Sequence, residues 1–169
     1  INAALARSDV QERLAGLAPE SHWKVYLPVM VASVLLMLPA LRAADRPGRS
    51  KPVFVSAVLV LGIGQAILAL AGTSLAALVA GLVVFFAAFN LLEATLPSLV
   101  SKYAPPALKG TAVGVYSSVQ FLGTFVGAAA GGFLAEHGGA AAVFAFGIVL
   151  SLAWLAASAS MAPPPALRP

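Results

Sequence analysis

The sequence predicts an all-α integral membrane protein, a helical bundle of five transmembrane helices. Three observations carry that prediction. Of the 169 residues, 60% are hydrophobic and 9% are charged, whereas a soluble domain has about 25% charged. The stretches between successive charges are long enough for helices of about 20 residues, the length that crosses roughly 30 Å of hydrocarbon. These stretches are also continuously apolar, unlike the strands of an outer-membrane barrel, which run for about ten residues with alternating polarity.

Taken in order, residues 1–21 carry Arg7, Asp9, Glu12, Arg13 and Glu20 and contain no span. They are expected to be the end of a preceding helix running into an external loop. Residues 22–169 form the membrane domain. Its first helix lies near 23–42, between Lys24 and Arg42, with Trp23 and Tyr26 as interfacial anchors. The uncharged run from Lys51 to Glu93 is too long for one crossing. Gly72-Thr73-Ser74 divides it into helices near 53–72 and 75–100. Lys109 and Glu136 bound a fourth helix near 109–135. The fifth, near 139–162, is stopped by Pro163-Pro164-Pro165.

Lys and Arg accumulate in short loops on the cytoplasmic side of membrane proteins. Here Arg42, Arg46, Arg49, Lys51, Lys102, Lys109 and Arg168 share one side, and Arg7, Arg13 and Lys24 fall on the other. This predicts a multi-pass protein of the bacterial inner (plasma) membrane with a cytoplasmic C-terminus. It also explains the net charge of +4 without a nucleic-acid partner, since bases so dispersed cannot track phosphates. Five spans leave the N-terminus outside, and residue 1 is Ile, so the sequence is expected to be a piece of a longer chain with a helix upstream.

Glu93 is the acidic residue inside a span. A carboxylate there costs several kcal/mol unless it is paired, hydrated or protonated, so it is expected to face protein or water. Asn90, at i−3, shares its helical face. The alternative is a snorkelling carboxylate or a bond to a hydroxyl such as Thr95. Tyr116 and Gln120, one turn apart, either offer a hydroxyl and an amide to a cavity or bond a neighbouring helix. Gln65 is a more isolated candidate for the same proton and substrate pathway. Gly110, Gly114, Gly123, Gly127 and Gly131 stand in GxxxG-type registers that let another backbone approach closely, and are read as helix packing. Pro97 is expected to kink the third helix. His22 and His137 sit at the outer interface, and Trp154 either packs or faces lipid.

The sequence has no cysteine, hence no thiolate nucleophile or thiolate metal site. No nucleophile with a base, metal-ligand cluster or phosphate-binding glycine loop is recognisable. An enzyme is therefore not expected; no catalytic residue, metal or cofactor is assigned.

The loop Leu41-Arg42-Ala43-Ala44-Asp45-Arg46-Pro47-Gly48-Arg49-Ser50-Lys51 resembles the G-x-x-x-D-R-x-G-R-[RK]-[RK] signature of the major facilitator superfamily, departing from it at Leu41 and Ser50. In that family the signature joins helices two and three and recurs, degraded, between helices eight and nine. The match here resembles the second copy, which makes the five spans helices eight to twelve. Residues 89–105 (FNLLEATLPSLVSKYAP) and 109–132 (KGTAVGVYSSVQFLGTFVGAAAGG) are similar to helices ten and eleven of the bacterial drug and proton antiporter branch. Relatives of that kind carry a soluble domain after the membrane region, whereas this sequence stops at Pro169.

The resemblance implies the C-terminal half of a twelve-helix carrier whose two halves rock about a midplane site. Asp45, Arg46, Gly48 and Arg49 would form a cytoplasmic gate loop; a plain positive-inside anchor is the alternative. The expected partners are membrane lipids, the missing N-terminal half, and a small-molecule substrate with a proton. The expected function is a part in a secondary active transporter, proton-coupled efflux of small molecules by alternating access. A non-transporting receptor or assembly module built on the carrier fold is the alternative, and solvent access to Glu93 discriminates between the two.

Overall fold

The computed structural model describes residues 23–72 and 74–162. The expected external segment 1–21, His22, the proline run and Arg168 lie outside the described residues. The elements are α1 (Trp23–Ala44), α2 (Ser50–Leu70), α3 (Leu75–Tyr103), a 3-10 turn (Pro106–Leu108) and α4 (Lys109–Ser160). Four helices are long and apolar enough to cross a membrane. The described residues are all-α, as the long apolar runs predict.

The helices run past the apolar segments because the uncharged gap marks the hydrocarbon crossing and helical backbone continues into the headgroup layer. So α1 extends through Arg42 to Ala44. In α2 the helix begins at Ser50, with Pro52 in the first turn, where its missing N–H would have no intrahelical partner. Ser74 caps α3 by accepting a hydrogen bond from the Ala77 N–H (3.3 Å). α3 then carries Pro97 in its interior and continues to Tyr103. It stops at Ala104, the residue before Pro105, where αR backbone is disfavoured.

The expected fourth and fifth helices form one helical stretch of 52 residues, broken inside at Gly139 (φ 66°, ψ −168°). As one rod it would be about 78 Å long. Its far end instead returns to its start. The Ala162 carbonyl accepts from the Tyr103 hydroxyl (2.5 Å), and Tyr103 is just upstream of Lys109. The Ala159 carbonyl accepts from Lys51 Nζ (2.9 Å), at the start of α2. The chain therefore doubles back at Gly139, giving a first arm (109–138) and a second arm (140–160). The expected loop Glu136-His137-Gly138-Gly139 is reduced to a single non-helical residue. Its polar residues stay helical because His137 stacks on Phe133 (centroids 4.1 Å apart) and its Nδ1 bonds the Phe133 carbonyl at 2.8 Å.

Packing centres on α2 and α3. Phe54, Ala57, Val58 and Leu61 of α2 meet Ala88, Leu91, Leu92 and Leu99 of α3 in one apolar core. The close approach depends on Gly64, where a Cβ would come within 2.8 Å of the Phe85 backbone nitrogen. α1 lies on the other flank of α3, and the second arm lies along α2, with Phe54 edge-on to Trp154 (5.9 Å, 73°). Trp154 thus packs. The expected packing glycines behave differently: a Cβ at Gly110, Gly114, Gly123, Gly127 or Gly131 would meet nothing within 4 Å. Among the described residues these positions have no neighbour that close, so the two glycine registers serve no contact there.

Candidate functional site

Glu93 projects from the side of α3 that is not used for the core. Leu91, Leu92 and Thr95 are buried, while Glu93 is exposed and Phe89, one turn earlier, is 41% exposed. The first arm brings Gln120 to it. Gln120 Nε2 donates to both carboxylate oxygens of Glu93, at 3.0 Å each. Both residues are reached from the same end of the bundle. Glu93 lies nearly three turns before the end of α3, Gln120 about three turns after the start of α4, and the tight Pro106–Leu108 turn sets the two helices side by side. Tyr116 lies one turn before Gln120 on the same arm.

An amide is a neutral partner able to serve either state of a carboxyl group. Its NH2 donates to the ionised form, and on rotation its carbonyl accepts from the protonated form. A Lys or Arg in that place would favour the ionised form strongly. The arrangement therefore gives Glu93 a neutral hydrogen-bond partner in place of a charged one.

The remaining expected pathway residues go elsewhere. Asn90 shares the helix but not the site, because its Nδ2 donates to Ser33 Oγ of α1 (3.3 Å). Ser33 is fully buried and donates in turn to the Met30 carbonyl (2.8 Å). Asn90 is thus bonded to α1 rather than to Glu93. Thr95 donates to its own helix, to the carbonyls of Leu91 (2.8 Å) and Leu92 (3.4 Å), which removes it as a partner too. Gln65 Nε2 donates to the buried Ser151 Oγ (3.1 Å), tying α2 to the second arm. Gly147 leaves room for this amide, since a Cβ there would run into the Gln65 side chain.

In the loop between α1 and α2, Asp45 N–H donates to the Leu41 carbonyl (3.3 Å), Arg46 N–H to Ala43 (3.3 Å) and Arg49 N–H to Arg46 (3.1 Å). Gly48 sits at φ 75°, a left-handed position that glycine takes at little cost. Asp45, Arg46, Gly48 and Arg49 are all exposed. Among the described residues no group of three or more His, Cys, Asp or Glu could hold a metal ion.

Ser33 and Ser151 carry no sign of a role in the sequence, and Lys51 stands there only as one of the bases of its loop. Each is a common residue with no spacing signal, and only the packing of α1 and the second arm reveals what it bonds.

A family model described as the Major Facilitator Superfamily matches residues 8–169. The chain is 40% identical over 151 residues, 89% of its length, to the "Inner membrane transport protein YajR" of Escherichia coli, and covers 33% of that protein. It is 40% identical over 81 residues to an "Uncharacterized transporter" of Buchnera aphidicola subsp. Baizongia pistaciae, covering 48% of this chain and 21% of that protein. It is 30% identical over 139 residues to the "Efflux pump azaK" of Aspergillus niger, covering 74% of this chain and 28% of that protein. The chain therefore spans about a third or less of the length of these relatives.

Proposed function

The chain belongs to the major facilitator superfamily, and from that premise we propose that it is part of a secondary transporter that exports small molecules by alternating access, with proton coupling through Glu93. In this reading its helices are the eighth to twelfth of a twelve-helix carrier in a bacterial inner membrane, five crossings in all. The reversal at Gly139 supports the fifth crossing: the second arm returns to the end of the bundle where Lys51 and Tyr103 lie. Lys51 and the other bases of that end then face the cytoplasm, together with the C-terminus. The printed names of the relatives, an inner membrane transport protein and an efflux pump, support membrane and direction.

The observation that carries the proposal is the exposed Glu93 carboxylate held by the Gln120 amide on the non-core side of α3. Protonated, Glu93 presents a neutral surface to the cavity; ionised, it attracts a proton or a cationic group of the substrate. The rocking of the two halves would expose it to each side in turn. Asp45, Arg46, Gly48 and Arg49 would then form the cytoplasmic gate loop against the other half. A receptor or assembly module needs no open carboxylate inside a span, so the exposure of Glu93 favours the carrier.

The test is flux. The full-length carrier, reconstituted in vesicles with an imposed pH gradient, should move an amphipathic dye such as ethidium against its own gradient and stop when the pH gradient is collapsed. Movement that ignores the pH gradient would refute proton coupling, and no movement of any amphipathic dye or drug tested would favour the module.

A further inference from the structure

The two arms of α4 are fastened to the bundle in different ways. The second arm is held along its length: Lys51 Nζ donates to the Ala159 carbonyl, Gln65 Nε2 to Ser151 Oγ, and the Trp154 ring meets Phe54 edge-on. Ser151 and Ser158 are buried, and Trp154 and Leu155 pack against the core. On the first arm, 109–138, no residue is buried. Its hydroxyls turn back on their own helix, Ser118 donating to the Gly114 carbonyl (3.1 Å) and Thr124 to the Gln120 carbonyl (2.9 Å). Among the described residues, the side-chain hydrogen bonds that cross from this arm to another element are the two from Gln120 to Glu93.

Both ends of the arm are joints. Before it, Ala104 and Pro105 are extended (ψ 140° and 145°), and Leu108 (φ −117°) provides no side-chain cap. After it, Gly139 breaks the helix at φ 66° and ψ −168°, and glycine changes backbone conformation with little steric cost. A helix between two such joints pivots as a lever unless something along it is tied down. Gln120, about a third of the way along, is that tie.

We infer that the first arm moves as a separate lever between these joints, and that the Gln120–Glu93 bond is the clasp holding it against α3. What opens the clasp rests on the transport reading. A hydrogen bond to an ionised group is roughly twice as strong as a neutral one, so a proton or a substrate cation that neutralises Glu93 weakens the clasp and frees the arm. Few other groups act on that carboxylate. On the arm itself Tyr116 is titratable, and Lys109, Glu136 and His137 stand at its two ends. Lys102 is nine positions further along α3, about 13 Å away. α1 and α2 carry their charges, Lys24, Arg42 and Lys51, at their ends, and the second arm has none.

Double electron–electron resonance on the full-length carrier in nanodiscs, in a cysteine-free background, reads the arm without reference to transport. Spin labels on Leu35 of α1 and Val126 of the first arm report the lever; labels on Leu35 and Val149 of the second arm report the fastened helix. All three side chains are exposed. At alkaline pH the lever pair in the wild type should give one main distance and a minor second one. Gln120→Ala should raise the minor population about tenfold, the worth of one hydrogen bond to a charged group. Gln120→Asn, whose amide stops one methylene short, should do the same, and Glu93→Gln should raise it less because a neutral bond remains. The second-arm pair should keep one distance throughout. A lever distribution unchanged in both Gln120 variants, or an equal spread in the second-arm pair, would overturn the inference. Acidification should raise the same minor population in the wild type. A wild type indifferent to pH whose arm is still freed by Gln120→Ala would uphold the clasp and count against proton coupling instead.

Discussion

Glu93 is held by an amide, and the neutrality of that partner decides what substitutions at Gln120 should do. Gln120→Lys places a fixed cation where the amide donates to both carboxylate oxygens, which favours the ionised form. Proton-driven dye transport by this variant should be lost while the protein still inserts and purifies, as a pH profile of efflux in vesicles would show. Asn90 gives the contrasting case. Its bond to the buried Ser33 joins α1 to α3, and interhelical hydrogen bonds in membranes are worth on average about 0.6 kcal/mol, at most about 2. Asn90→Ala should cost that much in denaturation while leaving the pH profile of transport unmoved; a shifted profile would place Asn90 in the coupling site after all. A charge in an apolar run identifies Glu93 from sequence alone, because the energetic penalty is local. Gln120 is half legible, as a polar residue on a small-residue helix. That Gln120, not Asn90, meets Glu93 depends on how the first arm lies against α3, which no local pattern encodes.

Helices follow from composition, yet which glycine permits a close approach does not. The GxxxG-like pattern on the first arm is the stronger one, but among the described residues nothing approaches it, whereas Gly64 sits in an ordinary apolar stretch against the Phe85 backbone. A Cβ at Gly64 has backbone to displace, so Gly64→Ala should destabilise by about 1–3 kcal/mol, the usual cost of overpacking. Gly127→Ala adds a methyl into open space. In the isolated chain it should be neutral, or stabilising by up to about 1 kcal/mol, since alanine favours helix over glycine. Detergent denaturation of the two variants side by side would check this, and a larger loss at Gly127 would reverse the assignment. The glycine pair and its polar neighbours point to a loop at 136–139, whereas the helical stretch is broken at Gly139 alone. The helix instead continues to Gly138, because His137 is anchored to Phe133. Gly139 alone takes a left-handed φ of 66°; Gly139→Ala should therefore cost about 1–2 kcal/mol.

Across the whole molecule, the distribution of Lys and Arg predicts a cytoplasmic C-terminus, which the proposed function requires. The native chain has no cysteine, so single cysteines report cleanly. One at Ser50 should be shielded from an impermeant thiol reagent applied outside the cell, and one at Gly138 should react. The open glycine face of the first arm and the outward-facing Glu93 also suit a body that is completed by another. Residues 1–169 reconstituted alone should accordingly give no saturable, gradient-driven flux, because an alternating-access cavity needs walls from two halves.

The central claim is that Glu93 couples transport to protons, and Glu93→Gln in the full-length carrier tests it most directly. Glutamine keeps the shape and hydrogen bonding of glutamate and removes its titration. Ethidium accumulation driven by a pH gradient should be abolished in this variant while ethidium exchange in the absence of a gradient persists, and Glu93→Asp should retain part of the driven accumulation. Proton-driven accumulation by Glu93→Gln with an unchanged pH profile would contradict the account.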